Sequence, residues 1–474
     1  MERRPVDKDA PTEGWYRILH KQPRQVIKGL GFEIQSDAIG SGNNGLPEKQ
    51  TSVPHDLVKT ERERLFKDML KNFRYLRLAG GLYWRGLTNG DKNIVERWST
   101  QDDELVELVK ATGVEGLSFE YWSPAPYWKA NGKYTGADNS ENKLKCFGKD
   151  FSDDPDYKGD TTRFLKDFAQ AMVKDIAYLN KKGLPVKVFG VQNEPFANTP
   201  YSSCVYNDDE YYTMFKVVAP IIKKNFPGIE LIADTHHGPH SYGKKIIADP
   251  KLEKYVDAWV HHEIGTDADA ILTRRDYFLE NTSGKPVYQN EYEYLNHPTS
   301  AARCVNTVQN IMNWFSAVNS PTWYWIHALK PTYNTEASGY ALGFWCPADD
   351  EKTISVEKGH WYYNNYNWFA LAGFLKYMPW NSRRIEVEEK DVRLENRILS
   401  FKRPDGKLVF VVSNRCGKPY TFHIDAGVSA TFTGYRYTPE AAGEKSEGVK
   451  QASIIGRNLN VTVPDMTWEF WVQN

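Results

Sequence analysis

The sequence is poor in cysteine, and the cysteines it has are scattered. The chain has 474 residues and 5 cysteines, at positions 146, 204, 304, 346 and 416. None of them has the CxxC or Cys/His spacing that marks a zinc site, and their separations define no disulfide framework. The sequence therefore gives no sign of a zinc site, and we expect neither a metal nor any other cofactor.

An excess of charge of one sign and long apolar runs are missing as well. Lys and Arg number 60 and Asp and Glu 61, which leaves a net charge of -1. This balance gives no electrostatic footprint for nucleic acid or for an anionic membrane. No run reaches the roughly 18 apolar residues of a membrane span. We expect a neutral ligand as the partner and a monomer as the working form.

The first residues, MERRPVDKDAPTEG, are charged and are followed by no apolar stretch, so they do not form a signal peptide. We expect a secreted or periplasmic protein whose signal peptide is not part of this sequence, and a cytoplasmic protein is the alternative left open. The sequons at Asn281 and Asn460 fit surface positions of a secreted protein.

A regular alternation of strand-like and helical segments is what the sequence does have. The clearest helix is Thr161 to Lys182, with apolar residues at helical spacing and Gly183 as its C-terminal stop. Strand-like runs lie near 29–35, 73–79, 115–121, 186–192, 229–234, 257–262, 286–291 and 322–326. Strands separated by helices in this way predict an α/β fold, a (β/α)8 TIM barrel with enlarged loops.

After about residue 380 the pattern changes to short alternating strands with turn residues between them, which is typical of a β-sandwich. The segment before the barrel also reads as a strand, so the appended sandwich uses both chain ends. We predict a catalytic barrel over 29–378 and a β-sandwich built from 14–28 and 379–474.

Two of the predicted barrel strands end in carboxylic acids. VKVFGVQNEP stops at Asn193 and Glu194, and KPVYQNEYEY delivers Glu291 and Glu293 about a hundred residues later. The C-terminal ends of barrel strands are where TIM-barrel enzymes do chemistry. A pair of carboxylates at that end indicates glycoside hydrolysis.

Five segments in order resemble glycoside hydrolase family 30, a clan A family of retaining β-glycosidases. They are QVIKGLG at 25–31, WSPAPYWK at 122–129, GVQNEP with SSC at 202–204, YNWFALAGFLKYMPWNSRRIEV, and PDMTWEFWV near the end. The resemblance runs from about residue 14 to the last residue. It implies a retaining β-glycoside hydrolase acting on poly- or oligosaccharides, with activities such as β-1,6-glucanase, β-1,6-galactanase, xylanase or β-xylosidase.

The resemblance also implies roles for particular residues. Glu194 matches the acid/base, Asn193 the residue that binds the sugar 2-hydroxyl, and Glu291 the nucleophile. Glu293 has the same strand parity as Glu291, so both remain candidates. Arg77, in FRYLRLAGG, resembles the arginine that holds the nucleophile ionised, and a structural salt bridge to another acid is its alternative.

Further substrate-binding positions follow from the same resemblance. His261 matches a histidine of the family, but Glu263 stands where the family often has a tyrosine. Trp325 resembles the aromatic floor of the sugar site, a role that Trp323 can share. The other candidate sugar platforms, each with ordinary packing as its alternative, are Trp122, Trp84 and Trp345.

Two long loops, Ser123 to Asp160 and Lys330 to His360, are predicted to set specificity, because barrel function resides in such loops. Two other functions stay open at this point. One is a non-catalytic carbohydrate-binding protein on a degenerate barrel, and the other is a glucosylceramidase-like hydrolase of a glycoconjugate.

Overall fold

The computed structural model describes residues 6–34, 57–84, 101–136, 141–236, 242–295, 297–347 and 350–474. The strands are β1 (Glu13–Ile27), β2 (Gly29–Glu33), β3 (Tyr75–Gly80), β4 (Gly116–Tyr121), β5 (Val186–Gly190), β6 (Glu230–His236), β7 (Ala258–His261), β8 (Val287–Tyr292), β9 (Thr322–Trp325), β10 (His327–Pro331), β11 (Ala341–Trp345), β12 (Trp361–Tyr363), β13 (Ser382–Glu389), β14 (Asn396–Lys402), β15 (Leu408–Asn414), β16 (Tyr420–Tyr437), β17 (Val449–Lys450), β18 (Ile454–Val463) and β19 (Thr467–Gln473).

The helices are α1 (Lys59–Arg64), α2 (Gln101–Thr112), α3 (Thr161–Lys182), α4 (Asp208–Asn225), α5 (Gly243–Ile247), α6 (Pro250–Glu253), α7 (Ala270–Thr273), α8 (Arg275–Asn281), α9 (Ala301–Ala317) and α10 (Asn365–Tyr377). A π-helical turn, Leu65–Met69, continues α1, and short 3-10 turns lie at Pro126–Trp128, Lys145–Phe147, Phe151–Asp153, Thr332–Tyr340 and Glu444–Ser446. No described helix is long and apolar enough to cross a membrane.

Strands β2 to β9 form a closed parallel barrel in chain order, with β9 paired back onto β2. The predicted TIM barrel is therefore confirmed. Strand residues alternate between the barrel interior and the surrounding helices. The interior is filled by one apolar cluster: Tyr75, Val188, Ile232, Ala258, Val260, Tyr288 and Tyr324.

Helix α3 shows how the local sequence sets an element. The Asp160 side chain accepts a hydrogen bond from the Arg163 N–H at the N-terminus, and Gly183 has φ 93° at the C-terminus. A left-handed residue at this position favours glycine because it has no Cβ to clash. The buried face of the helix consists of Phe164, Leu165, Phe168, Ala169, Ala171, Met172, Asp175, Ile176 and Leu179.

Strand β1 and the C-terminal strands form the second domain. Its sheet runs β1-β13-β14-β15-β19-β16-β17, β18 pairs with β16, and β1 also pairs with β16. The long strand β16 is shared, because its first half pairs with β1 and β18 and its second half with β19. A separate apolar core, including Phe410, Phe422 and Trp471, lies inside. The appended β-sandwich built from both chain ends is thus confirmed.

The sandwich packs on helices α9 and α10 of the barrel. Phe374 and Phe470 are 5.1 Å apart between ring centroids, and Tyr377 stacks on Tyr435 at 4.6 Å. Gln309 on α9 donates to the carbonyl of Glu395. One continuous apolar cluster spans both domains. Each domain therefore buries a face of the other.

The second predicted loop, Lys330 to His360, contains one strand, β11, and lies between two others, β10 and β12. Strands β10, β11 and β12 form a small three-stranded sheet beside the barrel mouth. Leu329 pairs with Gly343, and Phe344 pairs with Tyr362. This sheet continues directly from β9, so it anchors the wall of the mouth on that side.

Candidate active site

Arg77 is the centre of a buried polar cluster at the C-terminal end of the barrel. Its side chain is fully buried, and its guanidinium donates to Glu291 at 2.6 Å, to Glu120 at 2.8 Å and to Glu33 at 3.4 Å. It also donates to Asn193 Oδ1 at 2.7 Å. Burial lowers the pKa of Arg77, but the three carboxylates outweigh it and raise the pKa above its ordinary value.

Two of these partners, Glu33 and Glu120, come from the strands on either side of β3. Glu33 is the register partner of Arg77 on β2, and Glu120 lies near the end of β4 on the other side. Gly190 on β5 makes room for Glu120, since a Cβ there would meet the Glu120 side chain at 2.9 Å. Two acids that the sequence reading did not select are thus part of the site.

Glu194 lies in a strained turn just after β5. Its φ is 40°, in the left-handed region that residues other than glycine seldom adopt. The turn is held on both sides, because the Asn193 N–H donates to the Tyr121 carbonyl at 2.6 Å and the Ala197 N–H to the Glu194 carbonyl at 2.8 Å. Strain of this kind persists where the surroundings impose it, and it clusters at functional sites.

A bulge brings Glu291 to the same place. Where β8 pairs with β9, Gln289 faces Trp323 and Tyr292 faces Trp325. Two residues of β8 therefore lie opposite a single residue of β9. A bulge re-aims side chains, and here both Asn290 and Glu291 contact site residues. Asn290 donates to Glu120 at 3.3 Å, while Glu291 accepts from Arg77.

His262 bridges the two candidate catalytic acids. Its Nδ1 lies 2.9 Å from Glu194 Oε1 and 3.6 Å from Glu291 Oε2, and its Nε2 lies 2.8 Å from Asn290 Oδ1. One atom from each of Glu194, His262 and Glu291 falls within 4.8 Å of the others. Burial lowers the pKa of His262, but Glu291 and Glu194 outweigh it and raise the pKa.

These three residues could also supply ligands to a metal ion. Their donor atoms are close enough, and carboxylate with imidazole is a usual ligand set. However, the Arg77 cation already lies 2.6 Å from Glu291 Oε2, and a raised pKa of His262 favours the protonated ring. A metal needs the ring neutral and would be repelled by the arginine. The donor set therefore fits proton transfer better than metal binding.

His261, predicted as a substrate-binding residue, points away from this cluster. Its ring packs against Phe278 at 5.0 Å and Trp314 at 5.8 Å outside the barrel, and its Nε2 lies 3.3 Å from Arg274. The structure thus places His262, one residue later, where His261 was expected. Since Ala258 and Val260 fill the interior, alternation puts position 262 inside as well.

Glu263 shares the outward side with His261 and is not a third acid of the site. It accepts hydrogen bonds from Trp314 at 2.7 Å and Asn310 at 3.3 Å on α9. Burial raises its pKa to about 7.

Glu293 lies one pleat beyond Glu291 and is also buried, but it contacts a different residue. Its Oε2 is 2.7 Å from His327 Nδ1. Burial raises the pKa of Glu293 well above its ordinary value and lowers that of His327. Burial thus favours the uncharged form of both groups, so the contact is a neutral hydrogen bond. Burial raises the pKa of Glu33 to about 8 in the same region.

The aromatic candidates divide between the mouth and the core. Trp122 lies at the mouth, where its ring is 5.5 Å from the Arg77 guanidinium and 5.8 Å from the Tyr201 ring. Its indole N–H is buried and finds no acceptor among the described residues. Trp122 belongs to an apolar cluster with Ala79, Leu82, Tyr83 and Ile326.

The other tryptophans pack away from the mouth. Trp325 is fully buried, faces Tyr292, and donates to the His327 carbonyl at 2.9 Å. Trp323 donates to Asn310 on α9. Trp84 donates to Asp102, and Trp345 is buried in β11 of the small sheet. Ile326, the residue after Trp325, belongs to the Trp122 cluster.

Comparison with known protein families gives a match in the β-sandwich domain. The model for the glycosyl hydrolase family 30 β-sandwich domain matches residues 381–441, which run from the start of β13 past the end of β16. The resemblance to family 30 is confirmed. No curated protein matches the chain in sequence.

Solved structures share the whole fold at low sequence identity. The catalytic domain of GH30 xylanase C from Talaromyces cellulolyticus has a TM-score of 0.71 and 14% identity, over 97% of this chain and 100% of that one. The endo-β1,6-glucanase BT3312 has a TM-score of 0.68 and 14% identity, over 99% and 97%. A conserved exported protein from Bacteroides fragilis has a TM-score of 0.73 and 12% identity, over 96% and 99%.

Proposed function

We propose that the chain is a retaining β-glycoside hydrolase in which Glu194 is the acid/base and Glu291 the nucleophile. The observation that carries this proposal is the separation of the two acids, whose nearest oxygens lie within 4.8 Å together with His262. Retaining enzymes keep their carboxyl groups about 5 to 5.5 Å apart, whereas inverting enzymes need about 6.5 to 9.5 Å to admit a water molecule.

In the first step, Glu291 attacks the anomeric carbon while Glu194 protonates the leaving oxygen. Arg77 supports this step because its hydrogen bond to Glu291 at 2.6 Å fixes the attacking carboxylate. In the second step, Glu194 takes a proton from water, which attacks the same carbon and releases Glu291. His262 contacts both acids and so can stabilise the change of charge between them.

We infer that Asn193 binds the sugar 2-hydroxyl. Its Oδ1 accepts from Arg77, which orients the amide nitrogen as the donor that remains for the substrate. Trp122 offers a ring face and a buried N–H at the same mouth. Ring faces stack on the C–H faces of sugars, and the N–H can bind a hydroxyl.

We propose a neutral β-linked poly- or oligosaccharide as the substrate. Arg77 is already paired with Glu291, Glu120 and Glu33, so this buried cation is not available to an anionic sugar. Because similar structures include a xylanase and an endo-β1,6-glucanase, xylan and β-1,6-glucan are the first substrates to test. The similar exported protein supports the expectation of a secreted or periplasmic enzyme.

The role of Glu194 is tested by leaving-group dependence. Glu194→Ala should slow substrates with poor leaving groups about 100-fold or more, the usual loss of a general acid, while aryl glycosides with good leaving groups still form the glycosyl-enzyme. Azide should then restore turnover and give a β-azide product. Glu263→Ala is the matched control, since Glu263 is a buried acid outside the site. Equal loss on both substrate types without azide rescue would refute the role.

The nucleophile is tested by trapping. An activated 2-fluoro glycoside should label Glu291, and peptide mass mapping should find the label there. Glu291→Gln should abolish labelling, whereas Glu293→Gln should retain it. NMR of the first product should show the β-anomer. A label on Glu293 would overturn the residue assignment, and an initial α-anomer would overturn the retaining mechanism.

A further inference from the structure

The outer face of the sandwich carries a tryptophan that the proposed reaction does not use. Trp15 on β1 is 52% exposed, and it is the one exposed tryptophan within the described residues. An aromatic side chain buries about 150 to 250 Å² when it packs. Leaving an indole in water therefore forgoes favourable burial.

The Trp15 ring is held in place by its neighbours. His423 on β16 is its register partner, and the two rings stack at 4.9 Å with an angle of 20°. His423 is fixed in turn, because its Nδ1 lies 2.8 Å from Asn460 Oδ1 on β18 and its Nε2 lies 2.9 Å from Glu13. A ring set by three strands is pre-organised for stacking, which lowers the entropy cost of binding.

Two ion pairs lie near the ring, so most of the charge around it is compensated. Arg17 pairs with Glu388 at 2.5 Å, and Arg457 pairs with Asp425 at 2.8 Å. Lys390 extends from β13 with its Nζ 5.7 Å from the Trp15 ring. A surface of this kind offers many hydrogen bonds without attracting nucleic acid or anionic lipid.

A cavity of about 340 Å³ opens beside Trp15, lined among others by Thr12, Glu13, Asp391 and Arg393. Its volume is at the lower end of the range for ligand pockets, about 300 to 1,000 Å³. The exposed ring and the cavity beside it together suit an extended ligand with one end inserted.

We propose that the Trp15 face, defined as Glu13, Trp15, Arg17, His423 and Asn460, binds a neutral polysaccharide chain. The indole stacks on a pyranose ring, and the amide and paired charges bind hydroxyl groups. The choice of a polysaccharide rests on the proposed function, since the same chain would then hold the polymer that its barrel cleaves. The face lies on the sandwich and contains none of the residues of the barrel mouth.

The test is affinity electrophoresis of the full chain in native gels that contain xylan or β-1,6-glucan. Glu291→Gln serves as the parent so that the polymer stays intact. Adding Trp15→Ala should weaken retardation, with the apparent Kd rising about tenfold or more, as for an aromatic hot spot. Trp15→Phe should keep most of the retardation because it keeps a ring. Ile455→Ala is the matched control, since Ile455 is 79% exposed on the same sandwich, and it should migrate like the parent.

In the active enzyme, Trp15→Ala should leave kcat and KM for a small aryl glycoside unchanged. The proposal is overturned if Trp15→Ala is retarded as strongly as the parent, or if neither polymer retards the parent. Failure of the proposed function looks different: the unaltered chain would cleave no glycoside, yet its retardation would still depend on Trp15.

Discussion

Replacing Arg77 with Met tests the organisation of the whole site. The change leaves Glu33, Glu120 and Glu291 buried without their shared cation. Removing one partner of a buried ion pair costs about 3–5 kcal/mol. Since Arg77 pairs closely with two carboxylates, Glu120 at 2.8 Å and Glu291 at 2.6 Å, we expect a loss of unfolding free energy near the upper end, about 5 kcal/mol. We also expect kcat/KM to fall roughly 100-fold, because a small displacement of the attacking carboxylate is enough for such a loss.

Arg384→Met is the matched control for this change. Arg384 is also buried, but it bonds one carboxylate, Glu386 at 3.1 Å, and lies in the sandwich. Urea unfolding should show a smaller loss of stability, and aryl glycoside kinetics at a temperature where both variants are folded should show no loss of activity. The reasoning is refuted if Arg77→Met keeps wild-type kcat/KM, or if Arg384→Met loses as much activity.

Three further changes test other parts of the structure. Glu33 should be neutral in the folded chain up to about pH 8 but ionise near 4.5 when unfolded, so its burial destabilises the fold as pH rises through that window, by at most about 5 kcal/mol. Glu33→Gln should therefore gain unfolding free energy relative to the wild type at pH 8 and gain none at pH 4, as measured by urea titration. The pKa of His262 is raised by Glu291 and Glu194. The protonated ring therefore stabilises the fold fully below about pH 6.5, the pKa of an unfolded histidine, and this contribution is lost as the pH rises above the folded pKa. His262→Gln should accordingly show a larger stability deficit at pH 5.5 than at pH 8.5, and equal deficits would contradict the charged ring. A chain ended after residue 380 should be insoluble, because the faces that pack Phe374 and Tyr377 against the sandwich would be exposed; a soluble and fully active product would contradict the shared core.

The barrel could be predicted from the sequence because its signals are local. Each strand is a short apolar run, and a helix such as α3 carries its cap and its stop within its own residues. Glu194 and Glu291 were visible for the same reason, since each directly follows a strand pattern. Which face of a strand points inward is not a local property, and AWVHHE at 258–263 offers a histidine on either parity.

A signal for the correct parity was nevertheless present in side-chain size. Ala258 and Val260 suit the narrow barrel interior, whereas Trp259 suits the space under the helices, where it donates to the Thr282 carbonyl. The same argument separates Tyr324 and Ile326 from the two large indoles of β9, which pack against α9 and β8. If Trp259 and Trp323 are assigned to the helix side, strand alternation places His262 inside the barrel and Trp325 outside it.

The partners of Arg77 depended on closure of the barrel, which no local pattern encodes. An arginine in an apolar strand requires a carboxylate, and the sequence offered several at strand ends. Glu33 and Glu120 reach Arg77 because β2 and β4 flank β3, whereas Glu291 reaches it from β8 across the mouth. The bulge in β8 makes that reach possible while its next residue, Tyr292, stays outside against Trp323. The position of the candidate nucleophile thus follows from strand register, so a change that removes the bulge should separate Glu291 from Arg77 even with both residues intact.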